Sequence, residues 1–360
     1  MGKPVSKARI TLYVITSLLG IMALAVGGAA FYVWNGLRPA PAGPPVTFEI
    51  ASGTSPYRVA DHLEREGIIR NAFLFKYYVR LTEEGARFQA GTYELAPGMG
   101  RDAIIAKLNS GDTIAPNTVR FTIPEGFTVT QIADKLAAEG VVDRAKFVEL
   151  ANNPTLLAHS ESALKIPKDE ANLQFLLEGY LFPETYEIEV DSTVQDVIVR
   201  MLHELDRKLE QLPEGWGDTL AERGLSFHEM MTIASLIERE VVVDEERALV
   251  SGVIRNRLDD NMPLQIDASV QYALETPKER LLEADLEVDS PYNTYQVQGL
   301  PPGPIASPSY ASIEAAIYPE ATDYLFYVTK KDGSQTHLFA ETYNGHLRNI
   351  EESNRNTGGE

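Results

Sequence analysis

The chain has no cysteine among its 360 residues. A thiol nucleophile, a cysteinyl zinc site and a disulfide framework are therefore excluded at once. Basic residues are scarce too: 32 Lys and Arg stand against 52 Asp and Glu, a formal net charge of −20. A nucleic-acid binder needs a cationic surface to displace counterions from phosphates, so that class is excluded as well. The six histidines show no metal-ligand spacing and no His-Glu-x-x-His occurs, so neither a bound metal nor any cofactor is expected. The acidic balance by itself serves solubility and names no partner.

Charge is also missing from residues 11–34, which are mostly Leu, Ile, Val, Ala and Gly. At about 1.5 Å per residue such a helix can cross a hydrocarbon core about 30 Å thick. Lys3, Lys7 and Arg9 precede it and only Arg38 follows closely, so the charge bias puts residues 1–10 in the cytoplasm. Tyr32 and Trp34 would form an aromatic belt at the far interface. A cleaved signal peptide is the competing reading. Its apolar region is shorter, about 7–15 residues, whereas Phe31 to Trp34 prolong the run beyond Gly28-Ala29-Ala30. Retention in the cell membrane as a single-pass anchor is the expectation, with the rest of the chain outside the cytoplasm. Residues 35–45, rich in proline, read as a stiff linker that lifts that part off the bilayer.

An internal repeat follows. Phe48-Glu49-Ile50 with Gly53 matches Phe121-Thr122-Ile123 with Gly126, and the match continues without a gap. Ala60-Asp61, Leu63 and Glu66-Gly67 correspond to Ala133-Asp134, Leu136 and Glu139-Gly140; Ile68-Ile69 correspond to Val141-Val142, and Ala72 to Ala145. Each copy predicts a strand, a Gly turn, an amphipathic helix and, after the Glu-Gly stop, a second helix. Ser55 and Thr128 are natural N-caps, and Gly67 and Gly140 suit left-handed C-caps. Thr92-Tyr93-Glu94-Leu95 predicts a further strand. In this build the copies resemble LysM modules, which bind N-acetylglucosamine-containing glycan. A structural duplication without ligand is the alternative, because neither copy shows a set of groove aromatics.

Beyond Lys168 the texture changes. The run from Gly179 to Tyr186 is aromatic and turn-rich, as in a loop lining a cleft. A long amphipathic helix is predicted over 193–212, and another begins at Ser226, where Glu229 completes a capping box. On this second helix Glu238 shares a sector with Met231, Ala234, Val241 and Val242. A carboxylate on an apolar face is expensive to keep ionised, which is the condition for a general acid. A salt bridge to Arg239 or Arg247 is the other reading, and periodicity leaves both open. Glu240, on the opposite side of the wheel, is the natural control. The later runs of Tyr, Asn, Gln, Pro and Gly supply stacking faces, amide donors and tight turns, as a sugar groove requires.

Five stretches occur together in order and spacing: Ile233-Ala234-Ser235-Leu236-Ile237-Glu238-Arg239-Glu240, Asn256-Arg257-Leu258, Met262-Pro263-Leu264-Gln265-Ile266-Asp267, Tyr292-Asn293-Thr294-Tyr295 and Gly299-Leu300-Pro301-Pro302-Gly303-Pro304-Ile305. In these the chain resembles the MltG (YceG-like) family of endolytic murein transglycosylases, from the anchor to about Ser353 and most strongly from Tyr180 onward. The resemblance implies a lyase that cuts MurNAc–GlcNAc bonds inside nascent peptidoglycan strands and leaves 1,6-anhydroMurNAc ends. Glu238 would act as acid and then as base. The muramic C6 hydroxyl attacks from within the same sugar, so the second carboxylate of ordinary glycosidases is not required. Gln265, Asp267, Tyr292, Asn293 and Tyr295 are candidates for binding the glycan. Coupling to peptidoglycan synthases is implied at the level of the family. Ala268-Ser269 follow Asp267 where some relatives carry a proline.

The expected architecture is α+β: a cytoplasmic N-terminus (1–10), a transmembrane helix (11–34), a linker (35–45), a duplicated LysM-like region (46–168), an α+β catalytic domain (169–353) and a disordered tail (354–360). Two other functions remain open. A muramidase would hydrolyse the same bond with Asp267 or Glu184 as partner carboxylate. A non-catalytic anchor would hold peptidoglycan without cutting it.

Overall fold

The computed structural model describes residues 7–114, 117–167, 172–274, 278 and 280–356. It is a mixed α+β chain that divides into two compact units, Met1–Asn117 and Thr118–Glu360. The first unit opens with α1 (Lys7–Gly36), in which Ile15–Gly36 is long and apolar enough to cross a membrane. No part of its most apolar window is buried by the rest of the chain.

Strand β1 (Val46–Ile50) alternates, with Phe48 and Ile50 turned inward and Thr47 and Glu49 outward. Two helices follow, α2 (Pro56–Arg65) and α3 (Ala72–Thr82), and then β2 (Gly91–Leu95), antiparallel to β1 with Phe48 opposite Tyr93. Helix α4 (Arg101–Ser110) closes the unit, whose core holds Phe48, Leu63, Phe75, Tyr93 and Ile104. The proline-rich linker is not a free spacer. The Pro39 carbonyl accepts from Arg70 Nε at 2.7 Å, the Gly43 N–H donates to Pro97 O at 3.2 Å, and Ala40 is buried.

The second unit begins with the same grammar: β3 (Thr118–Thr122), α5 (Val129–Ala138) and α6 (Arg144–Ala151). The partner of β3 is β4 (Thr185–Glu189), far along the chain, with Phe121 opposite Tyr186. Helices α7 (Val194–Leu209) and α8 (Trp216–Glu222) lead to α9 (Phe227–Glu240). A helix that is apolar nearly all round belongs inside; Met230, Met231, Ala234, Leu236 and Ile237 of α9 are wholly enclosed. Against α9 pack α10 (Arg247–Asp259), α11 (Asp267–Ala273) and α12 (Tyr310–Ile317). A hairpin of β5 (Phe326–Thr329) and β6 (His337–Ala340) and the helix α13 (Tyr343–Asn356) complete the unit.

The two copies agree down to individual bonds. After α2 the Ile68 N–H reaches Leu63 O at 2.9 Å and the Gly67 N–H reaches Glu64 O at 3.0 Å. After α5, Val141 to Leu136 O and Gly140 to Ala137 O repeat both bonds at 2.9 and 3.0 Å. This is the Schellman closure, and it needs the positive φ of Gly67 (69°) and Gly140 (72°). The likeness extends further than the sequence match. Thr92-Tyr93-Glu94-Leu95 of β2 finds its counterpart in Thr185-Tyr186-Glu187-Ile188 of β4. Each tyrosine hydroxyl donates to the carbonyl four residues earlier, Tyr93 to Gln89 at 2.7 Å and Tyr186 to Phe182 at 2.6 Å.

The units divide between the copies, at Asn117/Thr118, while the boundary expected after Lys168 lies outside the described residues. The second copy contributes Phe121, Ile132 and Leu136 to the core that also encloses α9. The expected tail is helical through Asn356, held by Ser353 Oγ on Thr329 O and Asn356 Nδ2 on Lys330 O, both at 2.7 Å; residues 357–360 lie outside the described residues.

Candidate active site

The last turn of α9 presents Glu238. Ser226 starts the helix with the predicted capping box, and Val241 ends it by turning to extended backbone. Oε2 of Glu238 sits in a cradle of four donors: Ser309 N (2.9 Å), Ser309 Oγ (2.5 Å), Ser312 Oγ (2.8 Å) and Arg247 Nη1 (3.2 Å). Ser309 is the N-cap of α12, so the carboxylate accepts from the backbone N–H and the hydroxyl that open that helix. The Glu238 and Arg247 side chains are each 7% exposed, and Arg247 Nη1 also donates to Ser312 Oγ at 2.6 Å. The other oxygen, Oε1, has no hydrogen-bond partner among the described residues. Of the two arginines considered from sequence, Arg247 pairs with Glu238, whereas Arg239 donates to Gly126 O at 3.1 Å.

That second bond brings the first turn of the second copy to the site. A Cβ on Gly126 would stand 3.8 Å from Glu238 Cγ and 3.4 Å from Arg239 Nη1. The turn is fixed from the other side: the Gly126 N–H donates to Ser307 O at 2.9 Å and Ser307 N–H to Phe127 O at 2.8 Å. The Ser307 hydroxyl is enclosed and has no hydrogen-bond partner among the described residues. Next to Gly126 is Glu125, a carboxylate missed from sequence. Partial burial pushes its pKa up, and the negative charge of Glu238 pushes it further; Arg247 pulls the other way. Glu184 bears on it too, but its own carboxyl is held below the usual range by Lys208, whose Nζ lies 2.8 Å away.

Glu240 is no solvated control. Tyr327 OH donates to its Oε2 at 2.9 Å, and burial raises its pKa, with Asp267 adding to the effect. Asp267 is exposed and accepts from Tyr295 OH at 2.6 Å. Gln265 is exposed beside it in a left-handed conformation, φ 51°. Tyr292 and Asn293 lie in the interior. Tyr292 packs on Tyr272 with ring centroids 4.9 Å apart, and Asn293 Nδ2 donates to Leu286 O and Val288 O at 2.9 and 2.8 Å, stapling its loop. Thus Gln265, Asp267 and Tyr295 form one accessible group, whereas Tyr292 and Asn293 support it from within.

The glycine-proline loop is locked to the start of α9. His228 Nε2 lies 2.7 Å from Pro302 O, so Nε2 carries the proton, and Nδ1 accepts from Tyr180 OH at 2.7 Å. A Cβ on Gly303 would lie 2.6 Å from Leu173 Cδ2 and 3.2 Å from the His228 ring, so the loop runs close to both side chains there. A second buried carboxyl, Glu178, accepts from the Val129 N–H (2.9 Å) at the start of α5 and from Tyr272 OH (3.0 Å); burial pushes its pKa up to about 8.

Comparison with known proteins places the chain in a family. A family model described as the YceG-like family matches residues 48–352. The chain is 36% identical over 330 residues to a Bacillus subtilis (strain 168) protein named endolytic murein transglycosylase, covering 90% of this chain and 89% of that protein. It is 31% identical over 367 residues to a Streptococcus pneumoniae serotype 2 protein of the same name, covering 94% of this chain but 64% of the relative. A crystal structure of a yceG-like protein from Listeria monocytogenes is similar at a TM-score of 0.58 and 34% identity, covering 84% of this chain and 98% of that one.

Proposed function

The chain belongs to the YceG-like family, and on that premise we propose how the carboxylate ending α9 performs the work of an endolytic murein transglycosylase. The general activity, that of a lyase acting on peptidoglycan, follows from the curated relatives, which match most of this chain. The finer steps are our reading. Glu238 donates a proton to the glycosidic oxygen between MurNAc and GlcNAc as that bond breaks. It then takes a proton from the muramic C6 hydroxyl, whose oxygen closes on the anomeric carbon to give the 1,6-anhydroMurNAc end. The proton lost in the first step returns in the second, and no water is consumed.

The observation that supports this best is the asymmetry of the carboxylate. Oε2 is fixed by four donors, while Oε1 carries no bond among the described residues and can pass a proton to and from the substrate. One firmly oriented acid/base is what a single-carboxylate mechanism requires. Gln265, Asp267 and Tyr295 would line the glycan path. The α1 helix would anchor the enzyme by a single pass, N-terminus cytoplasmic, and the first copy would serve as the LysM-like glycan holder.

Hydrolysis is the second reading, because Glu125 puts another carboxyl into the field of Glu238. The test is mass spectrometry of fragments released from nascent, uncrosslinked peptidoglycan by the full chain and by Glu238→Gln. Anhydro ends from the wild type alone support the lyase. Reducing ends would transfer the reaction to a muramidase with Glu125 as base. Glycan retention without cleavage by folded wild type would sink both.

A further inference from the structure

Away from the site, α3 carries an apolar stripe that no described residue of its unit covers. Phe73, Tyr77 and Leu81 recur at every fourth position and are 70%, 58% and 67% exposed. That spacing lines them along one side of the helix, while Leu74, Phe75 and Val79 on the other side are buried in the unit. Two exposed aromatics and a leucine in register mark a surface meant for something apolar.

The start of α3 shows what that is. Its N-cap, Asn71, donates from Nδ2 to Tyr32 OH of α1 at 3.1 Å. Leu74 lies so close to Gly36, the last residue of α1, that a Cβ there would stand 2.4 Å from Leu74 Cδ1. Farther along α3, the Tyr78 ring lies 4.3 Å beneath the Arg101 guanidinium, and Arg101 lines an open cleft against Val26, Ala30 and Trp34 of α1. Helix α3 therefore starts beside the turns where α1 leaves its apolar span, and its middle stays near them.

Charge points the same way. Residues 38–117 carry nine basic and nine acidic side chains, whereas residues 118–360 carry 20 basic and 43 acidic. Within Ala72–Thr82 there is no acidic residue; of the two basic ones, Lys76 pairs with Asp61 of α2 at 2.5 Å and Arg80 is exposed. An anionic headgroup layer would repel the second unit and accept this face of the first.

We propose that α3 docks into the interfacial layer of the bilayer that α1 crosses, with Phe73, Tyr77 and Leu81 in the headgroup–acyl boundary. The inference rests on α1 being a membrane span. Because the chain has no cysteine, Tyr77→Cys gives a single labelling site for an environment-sensitive dye on the full chain in nanodiscs of zwitterionic and anionic lipid. Leu24→Cys in α1 and Glu94→Cys on the exposed edge of β2 serve as references. A lipid-borne quencher should reduce emission at position 77 several-fold more than at 94, and Phe73→Ser with Leu81→Ser should abolish that excess. Quenching at 24 with none at 77 overturns the docking while sparing the anchor; no quenching at 24 overturns the anchor and the docking with it. A dye at 77 that is blue-shifted yet unquenched by lipid means that protein covers the stripe, and it overturns the proposal as well.

Discussion

The two copies of the strand–helix–helix unit share their caps, closures and strand pairing, and differ in what lies against their first turn. In the first copy the turn reads Ser52-Gly53, and a Cβ on Gly53 would meet nothing within 4 Å. In the second it reads Glu125-Gly126 and lies against Glu238, Arg239 and Ser307. Both glycines are needed for their positive φ, 77° and 72°, but only in the second copy does the turn hold that φ against side chains of the site, at ordinary contact distance. The helix starts differ likewise. Helix α2 begins with Pro56, which has no N–H to satisfy, while α5 begins with Val129, whose N–H requires the buried Glu178. Duplicated backbone thus tolerates new roles so long as local bonding is kept and new partners answer each new donor.

The largest effect should come from what the second turn leans on. Glu238→Gln is expected to lower the rate of anhydro-end formation by about a thousandfold, within the range for removing a general acid–base, in protein shown to remain folded. Next is the asymmetry at the helix starts. Because the folded pKa of Glu178 is raised to about 8, the native state holds its proton more tightly than the unfolded chain. Stability should therefore fall as pH rises from the ordinary carboxylate range toward about 8. Glu178→Gln, which mimics the protonated form, should flatten that slope in denaturant titrations across the same pH window, and an unchanged slope would refute the assignment. Third, Gly126→Ala and Gly53→Ala should each cost about 1–2 kcal/mol from left-handed strain, but only Gly126→Ala should also reduce kcat/KM, by about tenfold for a small misplacement of the site. Equal kinetics for the two would remove the distinction between the turns. The smallest effect is the shared one: Ser55→Ala and Thr128→Ala should each destabilise by about 1 kcal/mol in thermal melts, through loss of matching N-caps.

Local features were legible in the chain. The capping box at Ser226 and the Glu-Gly stops depend on residues a few positions apart, and periodicity or turn chemistry reports them. Long-range partners were not. Strand β3 pairs across α5 and α6 with β4, and no local pattern says which strand it will choose. Glu240 looked solvent-facing on a helical wheel, but Tyr327, brought by β5, closes over it. Glu125 looked like an ordinary charged turn residue. Comparing it with Ser52 of the other copy would have shown one of several differences between the two, with nothing to single it out. Asn293 had the composition of a groove residue, yet its amide staples its own loop.

The cradle of Glu238 has a consequence in time. Its donors come from Arg247, Ser309 and Ser312, so the carboxylate is oriented only after the chain has been made through residue 312 and α12 has docked on α9. On the mechanism proposed above, such an enzyme carries its own safety catch: while the chain is still emerging and unfolded, Glu238 is a loose glutamate, and competence arrives together with the finished core.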